Sequence, residues 1–323
     1  MKTALVFGAG GQAGSYMCEL LLKKDYKVFG AVRQEHANKN LEQAVKHVDF
    51  ELLNLTSVRS EPDVFDAVMS AKPDEVYNFA GKMFAPDSWH LPIEYTEVNG
   101  LAVLYMLEAI RRYCPKAKFF CAGSADVFKK DAVSKTEDAV RAPSNPYGCA
   151  KLMAETLIDA YRHEYGLYAC TGIFFNMESE RRPESFFAQK VTRAIVKMAW
   201  NKGRNVPVEP LKLGKLSAVR DWGLVTEYMQ AAWAMLQCPS PADFIIATGH
   251  SFTCLDFVKE TFRQVGVEER LEYDQEDLVS TDLMFAYPAK IKEKLGWKAK
   301  SDLVGVVSYL ITAAQEELVR VKS

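Results

Sequence analysis

Tyr147 and Lys151 stand four positions apart, directly after Pro146. On a helix that spacing puts both side chains on one face. The pair can do acid–base chemistry, because an ammonium close to a phenol stabilises the phenolate and draws its pKa down from about 10 toward the range of a general base. Lys151 can also hold a ribose hydroxyl. Upstream, Cys121-Ala122-Gly123-Ser124-Ala125-Asp126 closes an apolar run with a hydroxyl and a carboxylate. Taken alone, Ser124 reads as a strand-end hydrogen bond and Asp126 as a turn cap. Beside Tyr147 they form a candidate reaction site.

A second cluster lies at the start of the chain. Gly8, Gly11 and Gly14 follow the apolar run Thr3 to Phe7 and open a helical pattern from Gln12. In that context the glycines let backbone N–H groups and a helix N-terminus approach a pyrophosphate with no side chain in between. The expected ligand is a dinucleotide. At the end of the next strand, where an acidic residue would hold a ribose 2′-hydroxyl, stands Arg33. An arginine there favours a 2′-phosphate and hence NADP, while Glu35 nearby keeps NAD open.

These residues need a frame, and its rhythm is visible. Strand-like runs recur at Thr3 to Phe7, Lys27 to Val32, Val48 to Leu52, Glu75 to Phe79, Lys118 to Ala122 and Tyr168 to Phe174. Helical patterns fill the gaps at Gln12 to Lys23, Pro62 to Ala71, Val98 to Arg112 and Pro146 to Tyr165. Strict alternation predicts an α/β fold, a Rossmann-type doubly wound parallel sheet covered on both faces. Pro62 and Pro146 suit first helical turns, where a missing N–H costs nothing. Past Phe175 the pattern turns to polar, proline-dotted stretches between helices. The expected division is a dinucleotide-binding part over residues 1–175 and a smaller substrate-binding part over 176–323, with the chain crossing back.

Bulk properties exclude other classes. The 323 residues are 49% hydrophobic and carry a formal charge of −2 with no long run of either sign, so nucleic acid is not an expected partner. The apolar start ends at Gly8, too early for a signal peptide, and nothing later has the length of a membrane span. The seven cysteines show no metal-ligand spacing. No metal is expected, and a reducing cytoplasm is.

Several segments are more specific than these general motifs. They are Gly11-Gln12-Ala13-Gly14-Ser15-Tyr16, Pro146-Tyr147-Gly148-Cys149-Ala150-Lys151, Tyr168 through Ser179 with Arg181-Arg182-Pro183-Glu184, Leu213 through Gly223, and Phe244 through Gly249. On these the chain resembles the GDP-mannose 4,6-dehydratases, extended short-chain dehydrogenase/reductases that modify sugar nucleotides, over nearly its whole length. The resemblance implies a catalytic NADP, a GDP-sugar substrate, a homodimer or homotetramer, and catalysis by Ser124, Asp126, Tyr147 and Lys151. It implies that Gln12, Asn54, Leu55 and Ala80 join Gly8, Gly11, Gly14 and Arg33 on the cofactor side. It also implies that Asn176 and Glu178 face the substrate, that Lys190 and Arg220 meet the diphosphate, and that the loop at Arg182 covers the nucleotide.

In the family's reaction Tyr147 would take the proton of the sugar 4-hydroxyl, steadied by Ser124, while the C4 hydride moves to the nicotinamide. The ketone acidifies C5, a carboxylate removes that proton, the C6 hydroxyl leaves as water, and the hydride returns at C6. The chain departs from the family at Asp126, where a Glu is usual, at Phe128 and Lys129, where Tyr-Gly is usual, at Asn54 for an Asp, and at Ala80-Gly81-Lys82-Met83 for a more polar run. Asp is one methylene shorter, and a misplacement of about 1 Å can cost on the order of a hundredfold in rate. A 4-dehydrogenase, 4-keto reductase or epimerase without dehydration is therefore the alternative. A sensor without catalysis would have no need of Ser124, Tyr147 and Lys151.

Overall fold

The computed structural model describes residues 1–33, 39–42, 44–274 and 282–322. Glu35 lies outside them. In chain order the first half runs β1 (Thr3–Phe7), α1 (Gln12–Leu22), β2 (Lys27–Arg33), β3 (Phe50–Leu55), α2 (Glu61–Ala71), β4 (Glu75–Asn78), α3 (Pro92–Thr96), α4 (Ala102–Tyr113), β5 (Lys118–Ser124), α5 (Pro146–Tyr165) and β6 (Ala169–Phe174). The second half follows as β7 (Asn176–Glu178), α6 (Phe187–Lys202), β8 (Leu211–Leu213), β9 (Val219–Leu224), α7 (Val225–Leu236), β10 (Phe244–Ile246), β11 (Ser251–Thr253), α8 (Cys254–Val265), β12 (Leu271–Tyr273), α9 (Ala289–Leu295) and α10 (Leu303–Lys322).

β10-β6-β5-β4-β1-β2-β3 form one seven-stranded sheet whose neighbours are all parallel. Successive side chains point to opposite faces, and both faces are covered, so the strands are apolar throughout. In β1, Ala4 and Val6 pack with α1 and α7, while Leu5 and Phe7 pack with α2 and α4. The strand order reverses beside β1, whose neighbours are β2 and β4. A crevice outside the carboxyl ends of the strands is expected at such a reversal.

The third strand lies at Phe50–Leu55, later than the Val48 start read from the sequence, and Val48 is almost fully exposed. The helix expected from Val98 begins at Pro92 and widens into a π-helical stretch, Glu97–Leu101, before α4. β10 returns to the main sheet beside β6, so the sheet draws on residues far past Phe175. A separate apolar core gathers α6, α8 and α10 around Trp222. Among the described residues no helix is long and apolar enough to cross a membrane, and no cluster of His, Cys, Asp and Glu is arranged to hold a metal ion. All seven cysteines are free thiols.

Candidate active site

The glycine turn is held by geometry that no other residue can satisfy. Gly8 has φ +75°, and a Cβ on it would fall 2.6 Å from the Ala80 nitrogen. A Cβ on Gly14 would fall 2.2 Å from the Gly8 carbonyl oxygen, so α1 presses directly on the turn. Gly11 caps α1 with no side-chain hydrogen bond to its first N–H groups, which leaves the helix start facing any anion placed there. Parallel register carries the other expected cofactor residues to the same edge. Arg33 and Asn54 end β2 and β3 and are exposed, Leu55 is buried beside Arg33 in the ladder, and the Ala80 N–H donates to Asn78 Oδ1 at 3.0 Å after β4.

α5 presents the catalytic pair. Asn145 accepts from the Gly148 N–H at 2.8 Å and Pro146 occupies the first turn, so the helix starts immediately before Tyr147. A Cβ on Gly148 would lie 2.4 Å from the Asp126 carbonyl, and this close approach sets Tyr147 against the end of β5. Tyr147 and Lys151 are 8% and 7% exposed. Ser124 accepts from the Asp126 N–H at 3.2 Å in a single 3-10 turn, which aims Asp126 into the same space.

The electrostatics differ from the expectation of a phenol lowered by its lysine. Burial, then the Asp126 carboxylate, pushes the Tyr147 phenol upward against the pull of Ser124 and Arg182. The Lys151 ammonium lies 5.9 Å from the Tyr147 ring centroid and donates to the Ala122 carbonyl at 2.8 Å, so its charge is directed at the sheet edge. Burial in turn lowers the Lys151 pKa. Asp126 is raised by burial, which outweighs Lys130 and Arg220, while Asp282 adds to the rise. A raised carboxyl and a raised phenol side by side suit proton exchange more than a permanently ionised base.

Asp126 and Tyr147, but not Lys151, open on a cleft of about 580 Å³. Ser124, Asp126, Tyr147, Gln12, Asn176, Arg182 and Arg220 line it, joining residues from both halves of the chain. Glu178, expected to face the substrate, and Lys190, expected to meet the diphosphate, are not among the residues that line it. Glu178 is 1% exposed beneath Arg182, whose Nη1 donates to its Oε1 at 2.8 Å. Burial pushes that carboxyl up to about 7, with Arg182 opposing. Lys190 is exposed because Ala188, Val191 and Ile195 take the buried face of α6.

Two features were not singled out from the sequence, and a third, at Lys82 and Met83, was read only as a departure from the family. Lys130 and Asp282 line the cleft as an ion pair at 3.0 Å, and Asp282 also pairs with Arg220. Met83, Phe84 and Trp89 form an apolar wall where the family run is more polar, and Lys82 turns away to pair with Glu94. Asn99 is buried in the π-helical stretch and donates to the Lys82 and Tyr95 carbonyls. Its Oδ1 has no partner and, with Lys151 Nζ, flanks Gly81. A polar residue inside a helical period was the available signal for Asn99. None existed for Asp282, a lone acid far from the other site residues in the chain.

A seven-stranded doubly wound sheet, a glycine turn on its first helix, and a serine, tyrosine and lysine at the carboxyl edge define a Rossmann-fold enzyme of the extended short-chain dehydrogenase/reductase type. A family profile described as GDP-mannose 4,6 dehydratase matches residues 5–309. The GDP-mannose 4,6 dehydratase 1 of Arabidopsis thaliana is 34% identical, over 96% of this chain and 89% of that protein. The GDP-mannose 4,6-dehydratase of Vibrio cholerae is 32% identical, over 97% and 83%. Among solved structures, a UDP-glucose 4-epimerase from Thermotoga maritima with UDP-glucose has the same fold, with a TM-score of 0.86 at 20% identity over 98% of this chain and 99% of that one. The chain belongs to the GDP-mannose 4,6-dehydratase family.

Proposed function

We propose that the protein converts GDP-mannose, or a close relative, to the 4-keto-6-deoxy sugar nucleotide with a resident NADP. The observation that carries this reading is the convergence of Ser124, Asp126 and Tyr147 with Asn176, Arg182 and Arg220 on one cleft in a chain of this family. The glycine turn fits a dinucleotide, since side chains at Gly8 and Gly14 would collide with backbone and the start of α1 has no side-chain cap. Gly8, Gly11, Gln12 and Gly14 would hold the pyrophosphate. Arg33, with Asn54 and Leu55 beside it, would meet the adenosine end, and Ala80 and Lys151 the nicotinamide ribose. The cofactor supplies a reversible hydride acceptor.

Within the protein, Ser124 holds the sugar 4-hydroxyl and Tyr147 takes its proton as the C4 hydride departs. The ketone then acidifies C5, and Asp126 removes that proton. Of the two protons released, one leaves with the C6 hydroxyl as water and the other returns to C5 as the hydride lands on C6. The Ala122 carbonyl holds Lys151 in place. Asn176 orients the sugar, and Arg220 and Arg182 meet the diphosphate, where forked guanidinium hydrogen bonds suit phosphate oxygens.

Incubating the NADP-loaded enzyme with GDP-mannose should give a product lighter by one water with no net change in reduced cofactor. An unchanged mass with cofactor confirmed bound overturns the reading for that sugar. Accumulating reduced cofactor at unchanged carbon skeleton would point to the simple 4-dehydrogenase. The proposed organisation is a dinucleotide-binding part over 1–175 and a sugar-nucleotide part over 176–323, assembled as a cytoplasmic homodimer or homotetramer. Light scattering on the purified protein reads the assembly.

A further inference from the structure

Lys130 and Arg220 are two cations that share the cleft with Asp126, and a third group already occupies both. Asp282 Oδ1 lies 3.0 Å from Lys130 Nζ, and its other oxygen pairs with Arg220 Nη2. All three side chains are only partly buried, with 27%, 24% and 36% of their surfaces exposed for Lys130, Arg220 and Asp282. The Asp282 backbone is fixed independently of its carboxylate. Its carbonyl accepts from the Val219 N–H at 3.1 Å, and Leu283 bridges to Val219 beside it. A rotation of the side chain alone would therefore release Lys130 and free Arg220 Nη2, while Arg220 Nη1 keeps its bonds to the Val219 and Asp282 carbonyls at 2.8 and 3.1 Å.

The chemistry of a glycosyl diphosphate matches this spot. In a pyranose a single ring oxygen separates C1, which carries the phosphate, from C5, whose proton must be removed. The group that removes the proton and the cations that hold the β-phosphate must then sit within about one sugar ring of each other. Asp126, Lys130 and Arg220 line one cleft and lie close enough for both cations to favour the Asp126 anion. Without a resident anion, the same cations would be drawn onto Asp126, and a salt-bridged carboxylate is a weaker base.

We propose that Asp282 is a built-in stand-in for the β-phosphate, holding Lys130 and Arg220 apart from Asp126 until the diphosphate of the substrate displaces it. The inference rests on the reading of Arg220 as a diphosphate ligand and adds Lys130 as a second one. Asp282 is then a competitor of substrate and a positioning residue for Asp126. It touches no reacting atom.

Inorganic pyrophosphate tests the exchange without depending on the nucleoside or sugar. By calorimetry at low salt, Asp282→Asn should bind pyrophosphate about tenfold more tightly than the wild type, within the usual range for coupled contacts. Lys130→Gln should bind it about fivefold more weakly on the same grounds. Equal or weaker binding by Asp282→Asn, with an unchanged thermal midpoint, overturns the proposal and makes Asp282 a mere support for Arg220. If the asparagine variant misfolds, Asp282→Ser gives the same comparison with a smaller side chain. Turnover of GDP-mannose by the wild type reads the proposed function separately: its absence, with the pyrophosphate ratio intact, removes that function and leaves the exchange standing.

Discussion

Ser124, Tyr147 and Lys151 come from the end of one central strand and the first turns of the helix that follows it, all anchored to the parallel sheet. Asp126, Lys130, Arg220 and Asp282 come from a 3-10 turn, a loop, the central strand of a small three-stranded sheet and a crossing segment near the C-terminal part. The first group is positioned by close backbone packing, such as Gly148 against the Asp126 carbonyl. In the second, Asp126 is set by its turn on Ser124, and Lys130, Arg220 and Asp282 by ion pairs between half-buried side chains. On the proposed reading the oxidising side is thus set by backbone packing and the eliminating side by ion pairs, and the chain departs from the family on both, at Asn54 and Ala80 to Met83 on the first and at Asp126 on the second.

The largest effect that would test this contrast is at the oxidising side. Tyr147→Phe should lower kcat for GDP-mannose on the order of a thousandfold, typical of a lost general base, with thermal stability retained. A smaller loss measured by single-turnover kinetics would move the base elsewhere. Between the two regions, Glu178 tests whether a buried charge is being held at a cost. Its carboxyl, raised by burial to about 7, binds its proton more tightly folded than unfolded. The stability it contributes is complete below a pH of about 4.5 and is lost as pH rises through about 7, a difference of about 3 kcal/mol. Urea unfolding across that range should show this decline in the wild type and a flatter profile in Glu178→Gln.

Asp126→Asn should cut dehydration about a hundredfold or more while sparing the first oxidation, so that reduced cofactor builds up where the wild type shows none. Equal loss of both steps would tie Asp126 to the oxidising side and erase the division. The smallest effect is expected at Lys190, which the family likeness assigns to the diphosphate and the fold leaves exposed outside the cleft. Lys190→Ala should leave KM within about a factor of two, as surface substitutions usually do. A tenfold rise would show that α6 turns its outer face to the substrate.

The parts legible in the sequence were those carried by local rules. Alternating apolar runs announced the sheet, because strands buried on both faces must be apolar throughout. Gly8, Gly11 and Gly14 announced the phosphate turn, because the backbone contacts at Gly8 and Gly14 exclude any side chain. The four-residue spacing of Tyr147 and Lys151 announced a shared helix face, though not the buried phenol whose pKa rises. The third strand was misplaced because Val48 looks apolar in sequence and proves to be exposed.

The sequence by itself determined the fold class, the glycine turn and the pairing of Tyr147 with Lys151, since each depends on residues a few positions apart. Only the tertiary structure decided that Glu178 is covered by Arg182, that Lys190 faces outward, and that Asp282 reaches Lys130 and Arg220. Those outcomes depend on which distant segments meet and on how much water they exclude. No spacing along the chain encodes either quantity, and both set the charge that Asp126 feels.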